Sequence, residues 1–377
     1  MPRITVPGFV DASNTARSIQ AQIGRTINLY TESTQPGGGA KTDKALLGTP
    51  GIRPILVWPE QPIRGMFNIN GRAFAVGGTL FGEFFTDGTI GTTYTVTNDN
   101  QPVSFASNGT AGNQILIVSG GDGYIYNTLT NTFTQITDPD FPDPAKMVEF
   151  LNGYFIVLKG GGSRSFSWSD LEDGLVWDPL DVAERSSTAD NLGALIRSHE
   201  ELWMMGGQTT QVYINTGVAT EIFAPVTGVV IEYGVVGPFC VQRMDNTLLW
   251  MGSSVDGAGM VWRADGYTPK RISTFGQEHQ LQAQDTPTDA RAFTFQMDGH
   301  LFYALLLPRN DRTWLFDITM NAWMDWNIWN TTTVKWEPHV ACCHIFEFDR
   351  HLVGDRLSGA IYHMSMDYKS DEIVAPA

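Results

Sequence analysis

A strand–turn–strand unit recurs along this 377-residue sequence, and its recurrence limits the folds that the chain can adopt. The clearest copies are residues 124–133 (YIYNTLTNTF) and 314–323 (WLFDITMNAW). In each copy an aromatic–aliphatic–aromatic run ends on Asn127 or Asp317, and a short polar turn leads back to another aromatic residue. Alternating apolar residues suit a strand with one buried face, and Asx residues suit tight turns. The two segments therefore predict the same β-hairpin.

A second recurring feature is a short turn rich in Asn, Asp or Gly that precedes an apolar strand. It occurs seven times at spacings of 38 to 53 residues, beginning at Asn70, Asn108, Asn152, His199, Asp245, Asp298 and Asp349. These spacings match a propeller blade, and such short strands must stack on neighbouring units to bury their apolar faces. We predict an all-β propeller of four-stranded antiparallel blades with seven repeat units. Six and seven blades both remain open, because an end unit could supply only a closing strand.

The first 60 residues differ from the repeats that follow. They begin with a polar stretch and contain a Gly- and Lys-rich loop at 35–44 (QPGGGAKTDK). We divide the chain into an N-terminal extension (1–60) and a β-propeller (61–377). Loops outside a rigid scaffold often carry contacts, so Pro36, Lys41 and Lys44 are candidate partner-contact residues. A disordered surface loop without a partner is the alternative interpretation.

Composition excludes several classes of function. The formal net charge of −16 argues against a surface that binds phosphates tightly, and three cysteines do not make a disulfide framework. No signal peptide and no 18-residue apolar run is evident, so we expect a protein without a membrane span that is made in the cytoplasm. We expect no cofactor, because no phosphate-binding Gly-rich motif precedes a helix.

The acidic segment 167–177 (SWSDLEDGLVW) loosely resembles the Asp-box hairpin of sialidases, which is a folding element of a propeller blade. Adjacent carboxylates on a strand point to opposite faces, so Glu172 and Asp173 would not share a substrate. The convergent arginines of a sialidase cannot be assembled from 24 scattered basic residues. We therefore predict no enzyme, and we retain Asp170 and Glu172 as exposed turn acids that could contact a partner.

Two further clusters have a structural and a functional interpretation. The cluster that resembles a metal site comprises His339, Cys342, Cys343, His344 and His351. Only Cys342 and His344 would share a strand face and no C-x-x-C partner is present, so packed core residues are favoured over zinc. Trp323 is explained by the repeated hairpin, so Trp326 and Trp329 are the better candidates for exposed contact within the tryptophan cluster, although packing in the core between blades is favoured over contact for them too.

Several segments resemble, in order, the tail-hub or packaged-DNA stabilisation proteins of short-tailed DNA phages. They are 24–32 (GRTINLYTE), 48–52 (GTPGI), 166–173 (FSWSDLED), 191–196 (NLGALI), 203–213 (WMMGGQTTQVY) and 233–240 (YGVVGPFC). The resemblance covers the N-terminal two thirds of the chain. Family members often carry a further C-terminal β region that has no counterpart before Ala377, which weakens the expectation of spike docking most.

The resemblance implies a non-enzymatic virion protein that forms a ring, a homo-hexamer, in the tail. Such a ring would extend the portal DNA conduit, retain packaged DNA, and contact the adaptor or portal complex, tail fibres or spikes, and a plug. It would be assembled in the bacterial cytoplasm and allow transient, non-specific passage of DNA. An acidic lumen would keep DNA from adhering to the wall. The alternative is a free glycan- or protein-binding propeller.

Overall fold

The computed structural model describes residues 24–33, 44–185, 189–254, 257–282 and 286–376. Seven antiparallel sheets form the seven blades of a β-propeller. This confirms the all-β prediction with seven units and selects seven blades over six. In the fifth blade the innermost strand is interrupted, so two short strands pair with the same neighbour.

The first four blades each contain four strands that follow one another in the chain. Blade one consists of β4 (Ile63–Ile69), β5 (Arg72–Gly77), β6 (Leu80–Phe84) and β7 (Ile90–Thr95). Blade two consists of β8 (Ser104–Ser107), β9 (Gln114–Ser119), β10 (Asp122–Asn127) and β11 (Thr132–Gln135). Blade three consists of β12 (Ala145–Leu151), β13 (Tyr154–Lys159), β14 (Ser165–Asp170) and β15 (Asp173–Glu184). Blade four consists of β16 (Leu192–Ser198), β17 (Glu201–Gly206), β18 (Thr210–Val218) and β19 (Glu221–Ile231).

The remaining blades depart from this simple order. Blade five consists of β20 (Gly234–Val235), β21 (Gln242–Met244), β22 (Thr247–Ser254), β23 (Gly257–Arg263) and β24 (Lys270–Arg271). Blade six consists of β25 (Arg291–Met297), β26 (His300–Leu307), β27 (Arg312–Asp317) and β28 (Ala322–Asp325). Blade seven consists of β31 (Ala341–Glu347), β32 (Arg350–Asp355), β33 (Ala360–Ser365) and an outer strand from the N-terminal side, β3 (Gly51–Val57).

Blade seven closes the propeller by joining the two ends of the repeat region. Strand β3 pairs antiparallel with β33, with Ile52 opposite Met364, and both side chains are fully buried. The boundary that we predicted at residue 60 therefore has a propeller strand on its N-terminal side. The sequence interpretation placed 51–57 in the extension because this strand lies far in sequence from the strands with which it pairs.

Two small two-stranded sheets lie outside the blades. One is formed by β1 (Leu29–Ser33) and β2 (Lys44–Gly48), and the other by β29 (Asn327–Asn330) and β30 (Lys335–Pro338). Short helical segments are α1 (Gly109–Gly112), α2 (Phe275–Gln282) and a 3-10 turn (Pro308–Asn310). The sequence analysis missed α2, although Thr274 and Gln277 form a capping box, in which each side chain bonds the other's backbone amide.

The turns between the first two strands of the blades explain why Asn and Asp recur there. The φ angles of Asn70, Asn152, His199, Asp245 and Asp298 lie between 49° and 56°. Tight hairpin turns require this left-handed conformation, which Asn and Asp adopt more readily than other non-glycine residues. In blade two, α1 replaces the predicted two-residue turn. In blade seven, the left-handed residues are Phe348 and Asp349, one position earlier than predicted.

The duplicated hairpin is confirmed as the two outer strands of blades two and six. The Asn127 side-chain oxygen accepts hydrogen bonds from the amides of residues 129 and 130, both at 3.0 Å. The Asp317 carboxylate does the same for residues 319 and 320, at 2.9 and 3.1 Å. The β29–β30 hairpin is a third copy, in which the Asn330 side chain accepts from residues 332 and 333. One Asx turn is therefore used three times.

The core lies between adjacent blades. Between blades one and two, Phe74 and Phe81 pack with Tyr126, with ring centroids 5.3 and 5.5 Å apart. Arg72 of blade one also reaches the outer hairpin of blade two, where it donates to the Tyr126 hydroxyl and the Asn131 side chain. The repeated hairpin is thus fixed by the neighbouring blade, as expected if single blades cannot bury their apolar faces alone.

Candidate partner-contact surfaces

The predicted contact residues fall on two separate parts of the propeller, and two of them cannot be placed. Pro36 and Lys41 lie outside the described residues. Lys44 begins β2 and is exposed. Strands β1 and β2 lie beside blade six, where residue 27 bridges residue 325 in parallel. Lys44 therefore belongs to the same side of the propeller as the tryptophan-rich segment after β28.

That tryptophan-rich segment forms the aromatic ribbon, which we define as residues 327–338. Trp329 and Trp336 pair directly across β29 and β30, with ring centroids 5.3 Å apart, and are 45% and 36% exposed. Val334 and Lys335 are also exposed. Asn28 fixes the base of the ribbon, donating to the Asn327 carbonyl at 2.8 Å and accepting from its amide at 2.9 Å. Exposed apolar residues and one lysine are thus held on an anchored hairpin.

Trp326 does not belong to this surface, and its assignment as a contact residue is wrong. Its side chain is 1% exposed and stacks on His339, with ring centroids 3.7 Å apart, in the core between blades six and seven. Residue 326 immediately follows the outer strand of blade six and turns inward. Trp329, three residues later, has left the blade. Sequence spacing alone could not distinguish these two environments.

Asp170 and Glu172 lie at the turn between β14 and β15, on the outer edge of blade three. Both are exposed, and Asp170 accepts a hydrogen bond from the Leu171 amide at 2.7 Å. We name residues 170–184 the acidic rim, because exposed Asp178 and Glu184 and half-buried Asp181 follow on β15. Burial and the neighbouring Asp178 raise the pKa of Asp181. Like charges are thus concentrated along one sheet edge.

The acidic rim also carries apolar residues that the sequence analysis did not identify. The exposed side chains are Leu171, Leu175, Val176, Leu180 and Val182. Most residues on edge strands are polar or charged, which discourages pairing with other chains. The alternation of acids with Leu and Val in 170–182 was the available signal.

The central channel of the propeller is narrow and largely filled by side chains. The innermost strands contribute Phe67, Phe105, Met147, Phe293 and His344 to a cavity of about 300 Å³. No Asp or Glu side chain lines this cavity among the described residues. A channel of this size and lining cannot serve as a DNA conduit within one chain.

The cluster with a metal-like composition is built into blade seven and its boundary with blade six. The His344 Nε2 and His351 Nδ1 atoms lie 3.0 Å apart and share a hydrogen bond. Burial, followed by the neighbouring His351, lowers the pKa of His344 to about 3, which keeps its ring neutral. The Cys342 thiol donates to the carbonyls of Ile63 and Gly354. The described residues contain no group of three or more His, Cys, Asp or Glu side chains arranged to hold a metal.

A polar cleft of about 740 Å³ opens between blades six and seven next to these histidines. His344, His351 and His363 line it together with Asp298, Asp349 and Asp367. The cleft presents hydrogen-bonding groups but places no unpaired nucleophile beside a base. Its size and polar lining are compatible with a small polar ligand.

Neither of the two helices in the described part of the chain is long and apolar enough to span a bilayer.

Solved structures with the same fold are distant in sequence. The N-terminal domain of Nup159 aligns with a TM-score of 0.52 and 10% identity, over 90% of this chain and 98% of that domain. Virginiamycin B lyase from Staphylococcus aureus aligns with a TM-score of 0.52 and 9% identity, over 84% of this chain and 99% of that chain. The extracellular domain of BT4673 from B. thetaiotaomicron aligns with a TM-score of 0.55 and 8% identity, over 84% of this chain and 40% of that chain. At these identities the likeness shows the propeller fold alone.

No curated protein matches the sequence. The family described as "Phage_stabilise: Bacteriophage P22 Gp10, beta-propeller" matches residues 27–369, which include all seven blades. That span contains all but the first three residues of the ordered set of segments in which the sequence resembles phage tail-hub proteins. The chain therefore belongs to the bacteriophage P22 Gp10 β-propeller family and is a structural protein of a phage tail.

Proposed function

We propose that the chain is the subunit of a ring, a homo-hexamer, that forms the hub or nozzle of a short phage tail. The ring extends the DNA conduit from the portal complex and its adaptor, retains packaged DNA, and docks tail fibres or spikes and a plug. The observation that carries this proposal is membership of the Gp10 family over residues 27–369. The protein is assembled in the host cytoplasm and remains in the virion.

The geometry supports a conduit formed between copies and not through one propeller. The central channel holds a cavity of only about 300 Å³ lined by side chains such as Phe105 and Phe293, whereas exposed apolar residues occur on the outer edges of the blades. A closed propeller is rigid, and copies related by rotation can enclose an opening with one repeated interface. DNA would then pass through the opening of the ring.

The net charge of the chain supports passage of DNA through the ring without adhesion to its wall. The formal charge of −16 per chain makes a wall of several copies strongly negative, and a negative wall repels the phosphate backbone. Purified ring should therefore show no salt-sensitive binding to double-stranded DNA. Tight binding that weakens steeply with added salt would contradict this part of the proposal.

The loop at 35–44 contributes to assembly. In the sequence it lies between β1 and β2, and Lys44 at its end is exposed. Deleting 36–41 should leave a folded propeller that assembles poorly. A deletion variant that enters tails as efficiently as the wild type would show that the loop is dispensable.

Imaging and mass measurement test the ring. In purified virions, electron microscopy should place the chain as a ring below the portal, and six copies of the 41.6 kDa chain should give a particle of about 250 kDa. A chain that is absent from tails and monomeric in solution would overturn the proposal. That result would favour a glycan- or protein-binding propeller, with the cleft between blades six and seven as its candidate site.

A further inference from the structure

The acidic rim contains a large bulge that displays a leucine. Ser167 pairs with Val182 and Ser169 pairs with Trp177, so residues 178–181 project from the edge of blade three. Leu180 in this bulge is 84% exposed, the highest value for a large apolar side chain among the described residues. The Asp178 side chain accepts from the Leu180 amide at 2.8 Å, which fixes the bulge locally.

The neighbouring blade provides a comparison for this bulge. In blade four, Gln211 pairs with Val230 and Tyr213 pairs with Pro225, so residues 226–229 form a bulge at the corresponding place. Val226 and Val229 of that bulge pack against the core of their own chain. A bulge can disrupt an edge strand without exposing a leucine. The exposed Leu180 is therefore not a necessary consequence of bulge geometry.

The aromatic ribbon has the complementary character. Its exposed apolar and charged residues are Trp329, Val334, Lys335 and Trp336. Glu337 lies on the same hairpin, where it is half-buried and accepts hydrogen bonds from the side chains of Asn330 and Thr333, so Lys335 is the exposed charge of the ribbon. On the acidic rim, Asp178 and Asp181 have no cationic partner in the described parts of the chain. Aromatic residues flanked by charge are typical of the centre of a protein interface.

The positions of the two surfaces suit a ring. The ribbon follows blade six, and blade six is three blades from blade three, or roughly 150° around a seven-bladed propeller. Two different surfaces on nearly opposite edges cannot form one self-complementary contact, but they can join copies head to tail. The ribbon and the Leu180 half of β15 both lie towards the face that carries the β13–β14 connection.

From these observations we propose that the acidic rim of one copy binds the aromatic ribbon of the next copy. Leu180 packs against Trp329 and Trp336, and Asp178 and Asp181 lie opposite Lys335. This inference rests on the ring proposed above and identifies the surface that closes it. Oppositely charged rims around an apolar centre fix the order of the copies and disfavour contact between two identical edges.

Substitutions at exposed positions test the interface. Leu180→Ser and Trp329→Ala should each raise the dissociation constant of the purified full-length ring by about tenfold or more, measured by mass photometry over a dilution series. Leu129→Ser is the control, because Leu129 is 73% exposed on the turn between the two outer strands of blade two, outside both proposed surfaces. It should assemble like the wild type. All three variants should keep the wild-type far-UV circular dichroism spectrum.

A charge exchange provides the second test. Asp181→Lys and Lys335→Asp should each weaken the ring, and the double variant should recover much of the lost affinity because the two charges are exchanged. If the wild type forms rings and these variants assemble equally well, the interface is overturned while the ring remains. If the wild type forms no ring in tails or in solution, the proposed function fails as well.

Discussion

Burial of His339 should make the propeller less stable as the pH falls from 7 to 5. The imidazole of His339 is fully buried between Trp326 and the blade-seven backbone, where its Nδ1 accepts a hydrogen bond from the Ala341 amide at 3.1 Å. Burial, with a smaller contribution from Arg356, lowers the pKa of His339 from 6.5 to about 3. The unfolded chain therefore binds a proton in this pH range that the folded chain excludes.

The size of the effect follows from linkage. With a pKa of 6.5 unfolded and about 3 folded, the free energy of unfolding should fall by about 2 kcal/mol between pH 7 and pH 5 through this histidine alone. The change is a loss of stability, because a folded-state pKa below the unfolded value favours the unfolded chain in acid. Stability is retained above pH 6.5 and lost progressively towards pH 3.

Urea unfolding at pH 7 and pH 5 measures this difference in the wild type and in His339→Asn. Asn keeps an acceptor for the Ala341 amide but cannot titrate, so the variant should lose about 2 kcal/mol less than the wild type between the two pH values. The variant will be less stable at pH 7, since it loses the stacking on Trp326. His279→Asn, at an exposed position of α2, is the control and should leave the pH dependence unchanged. Equal pH dependence in the wild type and His339→Asn would refute the reasoning.

Three further predictions concern the fold and the contact residues. Trp326→Ala should lower the free energy of unfolding by about 3–5 kcal/mol, because it leaves a buried cavity. Trp329→Ala should lower it by less than about 1 kcal/mol, because Trp329 is exposed. Similar urea midpoints for the two variants would contradict this difference in burial. Asp317→Ala should lower the free energy of unfolding by about 3 kcal/mol and Asn127→Ala by about 1 kcal/mol, since buried Asp317 also accepts a hydrogen bond from His300 at 2.6 Å. Equal losses of stability in urea unfolding would count against this added contact. A chain reduced to residues 61–377 lacks β3 and should show no cooperative thermal unfolding by circular dichroism, whereas native-like unfolding would mean that blade seven does not need its outer strand.

The sequence was sufficient to predict a propeller of repeated blades, because each turn that marks a blade is encoded by a few adjacent residues. Left-handed turns select Asn and Asp at positions such as Asn70 and Asp298, and Asx turns select Asn127 and Asp317, so each blade carries its own signature. The closing strand β3 has no such signature. Its place is decided by pairing with residues more than 300 positions away, which a local pattern cannot reveal.

The contact surfaces were only partly predictable for a related reason. Asp170, Glu172 and Trp329 are exposed as expected, but Trp326 is core because the chain turns inward at that residue. The exposure of Leu180 depends on a four-residue bulge, and strand patterning would place an aliphatic residue in the core. Burial that depends on tertiary packing cannot be assigned from residue type.

The pairing of β3 with β33 also affects how the chain folds during synthesis. The pair joins Ile52 to Met364, so most of the chain must be made before the last blade can form. Contacts at such long separation are slow to form, because the entropy of closing the loop opposes them until the pairing is complete. Until then, apolar residues at both ends of the chain lack their partners. We therefore expect a chain that is interrupted before β33 to lack a closed propeller.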